Sequence, residues 1–334
     1  MEVFVSVPKK SEVMETFLTE PVRRYLEERF QVRYSPLERN LTPEEVSAYA
    51  GNARVIITGW GHPMLDAETV EGTGIRLIAH TGGSVGSLVS PEIYRRGIRV
   101  ISGNRLYADS VAEGVLTYML AALRRMPDYV DRMRSGGWGE AQDISEGLLD
   151  QTVGLVGVGA ISLRLMRLLQ MFRVKIKVFS RYPVDTEILE KYRAEQVSLE
   201  EIFSTCKIVS LHSAMSESTR GMIGREHFDL LQDGALFVNT ARGGIVREAE
   251  MTEALKEKRF RAVLDVYCQE PPGQDNPLRC LDNVYCMPHQ AGPTRDRRAL
   301  IARQLIDNIV KFRAGEEMEL EISREYAGRM TVGG

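Results

Sequence analysis

Thr152-Val153-Gly154-Leu155-Val156-Gly157-Val158-Gly159-Ala160-Ile161-Ser162 is the stretch on which the fold turns. An apolar run ends in two glycines one residue apart and passes straight into a helical pattern over residues 163–171. The next apolar run, residues 175–180, reads as a second strand. Strand, glycine turn, helix and strand make one βαβ unit. Gly157 permits the tight turn. Gly159 lets backbone approach a pyrophosphate, an anion that sits on the unpaired amides of a helix N-terminus. Ser162 stands where a third glycine often packs helix against strand, and its small side chain suits that contact. Gly157, Gly159, Ala160 and Ile161 are therefore dinucleotide-binding candidates.

The same alternation extends in both directions. Downstream, residues 208–212, 235–239, 262–266 and 284–287 read as further strands, followed by one helix over 295–313 and a polar tail. Upstream, residues 3–7, 32–35, 55–58, 77–79 and 100–102 read as buried strands, with amphipathic segments over 11–30 and 42–51 between them. A long helical stretch over 109–134, closed by Ser135-Gly136-Gly137, separates the two runs. The pattern predicts an α/β protein with two doubly wound, Rossmann-like parallel-sheet domains.

The second strand of the decisive unit ends in Phe179-Ser180-Arg181-Tyr182. An acidic side chain at this place would accept hydrogen bonds from a ribose 2′-hydroxyl and repel a 2′-phosphate. Ser180 removes that repulsion and Arg181 adds a phosphate-matching cation. The cofactor read from this strand end is NAD(P)(H), with NADP(H) favoured.

Composition narrows the setting. The chain has 334 residues, a formal charge of −3 and 43% apolar residues, which suits two domains with sizeable cores. The balance leaves no basic footprint for nucleic acid. No apolar run approaches the ~20 residues that span a membrane, and the N-terminus lacks the features of a signal peptide. The four cysteines are in neither CxxC pairs nor zinc-ligand spacing, so no metal is expected and a reducing, cytoplasmic setting is.

Three segments after strands carry candidate chemistry. They are Asn239-Thr240-Ala241-Arg242-Gly243-Gly244, Asp265-Val266-Tyr267-Cys268-Gln269-Glu270-Pro271 and Pro288-His289-Gln290-Ala291-Gly292. In open α/β sheets ligands bind beyond the carboxyl ends of strands, so these loops should converge. Hydride transfer to a 2-oxo carbon leaves charge on the carbonyl oxygen, and a histidine is the efficient acid to protonate it. His289 fits that role. Glu270 fits the carboxylate that fixes the imidazole tautomer and stabilises the imidazolium. Arg242 offers the planar fork that holds a carboxylate and polarises a carbonyl. Each residue alone has an ordinary structural reading; the ordered set is what points to one reaction.

Along nearly its full length the chain resembles the D-isomer-specific 2-hydroxyacid dehydrogenases. The matching residues are Val111-Ala112-Glu113, Gly157-Val158-Gly159-Ala160-Ile161, His212, Asn239-Thr240-Ala241-Arg242-Gly243, Asp265-Val266, Glu270-Pro271 and Pro288-His289-Gln290-Ala291-Gly292. The resemblance implies catalytic roles for Arg242, Glu270 and His289. It implies cofactor contacts at His212, Ser213, Thr240, Ala241, Arg242, Asp265, His289 and Gly292, beside the Ser180 and Arg181 read from the strand end, with Asp265 on the nicotinamide carboxamide. It also implies a small 2-oxo or 2-hydroxy acid as substrate, a homodimer formed through the long helix, and a cofactor domain inserted in a substrate domain. The expected ranges are 1–104 and 293–334 for the substrate domain and 105–292 for the cofactor domain. The substrate loop departs from the family pattern. It reads His80-Thr81-Gly82-Gly83-Ser84-Val85-Gly86-Ser87 and lacks the Asp-containing segment, although the amides of Gly82, Gly83 and Ser84 can still hold a carboxylate. Trp138 is a further candidate wall of the substrate pocket. Transcriptional corepressors share this fold and use the nucleotide as a ligand, so a nucleotide-sensing binding module is the alternative reading.

Overall fold

The computed structural model describes residues 1–138 and 145–331; the last three residues of the expected polar tail fall outside this part. The chain parts into two compact units, one of Met1–Tyr107 with the chain from Pro293 onward, the other of Ala108–Gly292. Among the described residues no helix is long and apolar enough to cross a membrane.

In the first unit, β1 (Glu2–Ser6), β2 (Gln31–Tyr34), β3 (Val55–Thr58), β4 (Leu77–His80) and β5 (Arg99–Ser102) form a parallel sheet in the order β2-β1-β3-β4-β5. Every residue of β3 and β4 is buried, while β2 at the edge is not. A parallel strand covered by helices on both faces must be apolar throughout, so these runs do not alternate. The helix Arg295–Ala314 lays Ile301, Leu305, Ile306 and Ile309 into this core. Each such buried side chain stabilises by roughly 1.5–3 kcal/mol.

The expected amphipathic helix over 11–30 is two helices, Glu12–Thr16 and Glu20–Glu27. Pro21 explains the break. It has no amide to bond the carbonyl four residues back, and its ring crowds that carbonyl. Pro127 does the same to the long stretch over 109–134. It becomes the helices Asn104–Leu123 and Met126–Arg134, joined through Arg125 in a left-handed conformation with φ 52°.

The second unit holds β6 (Thr152–Val156), β7 (Lys175–Phe179), β8 (Ala194–Gln196), β9 (Ile208–Leu211), β10 (Leu236–Asn239), β11 (Arg261–Leu264) and β12 (Val284–Cys286). They pair in parallel in the order β12-β11-β10-β9-β6-β7-β8. The order reverses between β6 and β9. That switch point opens a crevice beyond the carboxyl ends of the strands. The short β8, which the sequence pattern does not announce, extends the edge beside β7.

Candidate active site

All seven strands of the second unit point the same way, so the loops after β6, β7, β9, β10, β11 and β12 leave the sheet at one edge. The candidates Gly157, Gly159, Ala160, Ile161, Ser180, Arg181, His212, Ser213, Thr240, Ala241, Arg242, Asp265, Glu270, His289 and Gly292 all stand on this edge. Gly82, Gly83 and Ser84 stand in the other unit, after β4.

At the switch point Gly157 has φ 104°. A Cβ there would also lie 2.6 Å from the Ser213 amide nitrogen, so glycine answers both backbone and space. Ser213 in turn donates its hydroxyl to the Val156 carbonyl. Ser162, the departure from a third glycine, is fully buried and donates to the Gly157 carbonyl at 2.6 Å. The serine therefore ties the turn to the helix Ala160–Leu169.

The surroundings suit a dinucleotide. Among the described residues, a Cβ built on Gly159 or on Gly292 would meet nothing within 4 Å. His212 Nε2 and Thr240 Oγ1 are buried without a hydrogen-bond partner among the described residues. An orphaned buried polar atom costs free energy and is usually there for a partner. Burial pushes the His212 imidazole down to about 4, so it is neutral and can take or give one hydrogen bond.

After β7, the Ser180 hydroxyl accepts from the Tyr182 amide. Asp185 caps the helix Thr186–Tyr192 by accepting from the Glu187 amide at 2.9 Å. Arg181 is exposed and makes no ion pair among the described residues.

Arg242 follows β10 with an extended backbone. Asn239 closes this turn by donating to the Arg242 carbonyl and accepting from the Ala241 amide. The guanidinium is half-buried and, among the described residues, bonds only the Ala241 carbonyl, at 2.6 Å. No carboxylate pairs with it among the described residues. Burial lowers its pKa, and the charge of Glu270 works in the opposite direction. The next residue, Gly243, meets the loop after β11: a Cβ there would lie 1.9 Å from the Tyr267 carbonyl carbon. Only glycine lets the two loops touch.

Glu270 is held on that second loop. Its Oε1 accepts from the Tyr267 amide at 3.0 Å, and its Oε2 lies 2.6 Å from His289 Nδ1. One carboxylate therefore spans from its own loop to the histidine of the next. His289 is about half exposed, with its Nε2 left over for a ligand. Asp265 is 1% exposed and accepts from the amides of Gln290 and Ala291. It thus anchors the histidine loop in addition to any contact it makes with a carboxamide.

In the first unit, His80 Nδ1 bonds Thr58 Oγ1, which makes it a loop anchor. The Ser84 hydroxyl donates to the Thr331 carbonyl. The amides of Gly82, Gly83 and Ser84 have no acceptor among the described residues. Trp138, expected as a pocket wall, is 83% exposed.

Two residues to which the sequence assigns no role of their own hold this edge together: Gly243, quoted above only as part of its motif, by its contact with Tyr267, and Tyr118, whose hydroxyl reaches Asp265 across 147 positions. A repeated small residue after Arg242 was a faint signal for the first. Nothing local marks the second, because a tyrosine in a helix reads as core.

Residues 116–291 match the family described as D-isomer specific 2-hydroxyacid dehydrogenase, NAD binding domain. The hydroxypyruvate reductase of Thermotoga maritima is 31% identical over 249 residues, which cover 73% of this chain and 80% of that protein. The D-3-phosphoglycerate dehydrogenase of Methanocaldococcus jannaschii is 31% identical over 281 residues, 84% of this chain and 53% of that protein. The corresponding protein of Archaeoglobus fulgidus is covered over 48% of its length, so the chain spans about half of these two relatives. The phosphoglycerate oxidoreductase of Rhizobium etli has the same fold, with a TM-score of 0.80 at 23% identity over 97% of this chain and 98% of that one.

Proposed function

Because the chain belongs to the D-isomer-specific 2-hydroxyacid dehydrogenase family, we propose that it reduces a small 2-oxo acid to the 2-hydroxy acid, and catalyses the reverse. The observation that carries this reading is the 2.6 Å contact between Glu270 Oε2 and His289 Nδ1, on the same sheet edge as an Arg242 with no carboxylate partner among the described residues.

Gly157, Gly159, Ala160 and Ile161 would hold the pyrophosphate, with His212, Ser213, Thr240, Ala241, Asp265 and Gly292 along the rest of the dinucleotide. Bound there, the nicotinamide supplies the hydride. His289 does the proton work. Glu270 occupies Nδ1, so Nε2 carries the proton that passes to the developing alkoxide, and takes it back in the reverse direction. The carboxylate keeps one tautomer and compensates the imidazolium. Arg242 uses its free donors on the substrate carboxylate and carbonyl oxygen. In the first unit, the amides of Gly82, Gly83 and Ser84, which have no acceptor among the described residues, would hold a carboxylate.

Three finer features belong to the same reading. NADPH is preferred over NADH, because Arg181 is uncommitted while its nearest acidic rival, Asp185, is engaged as a helix cap. The protein is a homodimer, because the helix Met126–Arg134 buries none of its residues and exposes Met126, Val130 and Met133 along one face. It works in the cytoplasm, in keeping with four free cysteines.

The deciding experiment is a steady-state panel of 2-oxo acids, including hydroxypyruvate and glyoxylate, run with NADH and with NADPH. Turnover of at least one acid is expected. Tight nucleotide binding without turnover of any would favour a nucleotide-sensing module instead.

A further inference from the structure

The two amides that follow His289 are gripped by one carboxylate. Asp265 Oδ1 accepts from Gln290 at 2.7 Å and Oδ2 from Ala291 at 2.9 Å. His289 itself has φ 55°, a left-handed backbone that is costly for a residue with a side chain. Such a conformation persists only where the surroundings over-determine it. Asp265 fixes the backbone after His289, and Glu270 fixes the ring.

A buried carboxylate has to be compensated by donors. The third donor to Asp265 is the Tyr118 hydroxyl, which reaches Oδ1 at 3.1 Å from the helix Asn104–Leu123. Gly114 lies one turn earlier on the same face of that helix. A Cβ at Gly114 would stand 3.0 Å from the Cα and the carbonyl oxygen of Ala291. The helix therefore packs directly on the tethered loop, and Tyr118 reaches past that contact to the carboxylate behind it. Burial, then the neighbouring Asp265 charge, hold the Tyr118 phenol above its ordinary value. The proton stays on the tyrosine and Asp265 stays the acceptor. A phenylalanine would fill the same space, so the hydroxyl is what the loop gains from having tyrosine here.

We infer that Tyr118 is a positioning residue for His289, acting through Asp265. Its hydroxyl orients the carboxylate that holds the Gln290 and Ala291 amides, and so sets where the His289 imidazole stands. The inference rests on the acid–base role proposed for His289.

The test is Tyr118→Phe in the full chain. Three quantities are measured: rates with hydroxypyruvate and NADH, NADH affinity by fluorescence titration, and hydrogen exchange of the Gln290 and Ala291 amides. We expect kcat to fall about tenfold, the worth of one charge-assisted hydrogen bond. KM for the 2-oxo acid should stay within about twofold, NADH affinity should fall by less than kcat because Asp265 also lies along the dinucleotide, and exchange at the two amides should quicken about tenfold. An unchanged kcat overturns the inference, whether or not exchange quickens, because the hydroxyl would then not set where His289 acts. A fall in kcat with unaltered exchange overturns the route through Asp265. An unsubstituted protein inactive toward every 2-oxo acid would refute the dehydrogenase reading itself. The tether is then decided by the exchange rates, which need no turnover.

Discussion

Replacing Gly243 by alanine drives a methyl group into backbone. The added carbon would stand 1.9 Å from the Tyr267 carbonyl carbon, 2.2 Å from its oxygen and 2.4 Å from the Cys268 nitrogen. To restore ordinary contact the loops after β10 and β11 must part by about 1.5 Å. Every atom struck is main chain, so no rotamer change relieves the clash. Gly243 adjoins Arg242, and the Tyr267 amide is the one that holds Glu270. The shift therefore falls between the cation and the carboxylate that steers His289. Misplacing catalytic groups by about 1 Å costs on the order of 10²-fold in rate, and overpacking costs about 1–3 kcal/mol of stability. Gly243→Ala should accordingly fold, melt a few degrees lower, and lose about a hundredfold in kcat/KM. Initial rates with hydroxypyruvate and NADH, alongside a thermal melt and an NADH titration, measure all three. A folded Gly243→Ala protein with undiminished kcat/KM would refute the argument that these two loops work as one constellation.

Other consequences are as direct. His289→Ala should lower kcat by about 10²–10⁴-fold while nucleotide binding persists; retention of full rate by the folded variant would remove His289 from the chemistry. Arg181→Ala should abolish a preference for NADPH of about tenfold to a hundredfold, and equal use of both nucleotides before and after the change would mean the strand end does not select. Stability should fall in mild acid. Burial pushes His62 down to about 4 and His80 to about 3, from 6.5. Depressed folded values mean that the unfolded chain takes up the protons first. Stability is then complete above about pH 6.5 and declines as pH falls toward the folded values, by about 2 kcal/mol per histidine at pH ~5. Urea midpoints at pH ~7.5 and ~5 measure this, and equal midpoints would show that both imidazoles protonate freely in the folded state.

Much of the fold was legible because parallel strands must be apolar along their whole length. The runs around Val55–Thr58 and Leu77–His80 advertise themselves for that reason. Helix breaks were less legible. Periodicity ran on through Pro21 and Pro127, and the missing amide at each proline outweighed the pattern. The three-residue β8 carries too little pattern to be read at all.

The candidate site divides along the same line. Chemistry was written locally: an arginine, a carboxylate and a histidine, each just past a strand, and a glycine turn opening a helix. Residue type and spacing suffice for that, because the carboxyl ends of parallel strands share an edge. The sequence by itself determined the fold class, the reaction type it suggests, and which side chains stand on that edge. What only the tertiary structure decided is how those side chains are held. The Glu270–His289 contact, the touch of Gly243 on Tyr267, and the reach of Tyr118 to Asp265 join residues 19, 24 and 147 positions apart. Such contacts depend on how neighbouring loops pack once the sheet has formed, and no local pattern encodes a distance across the fold.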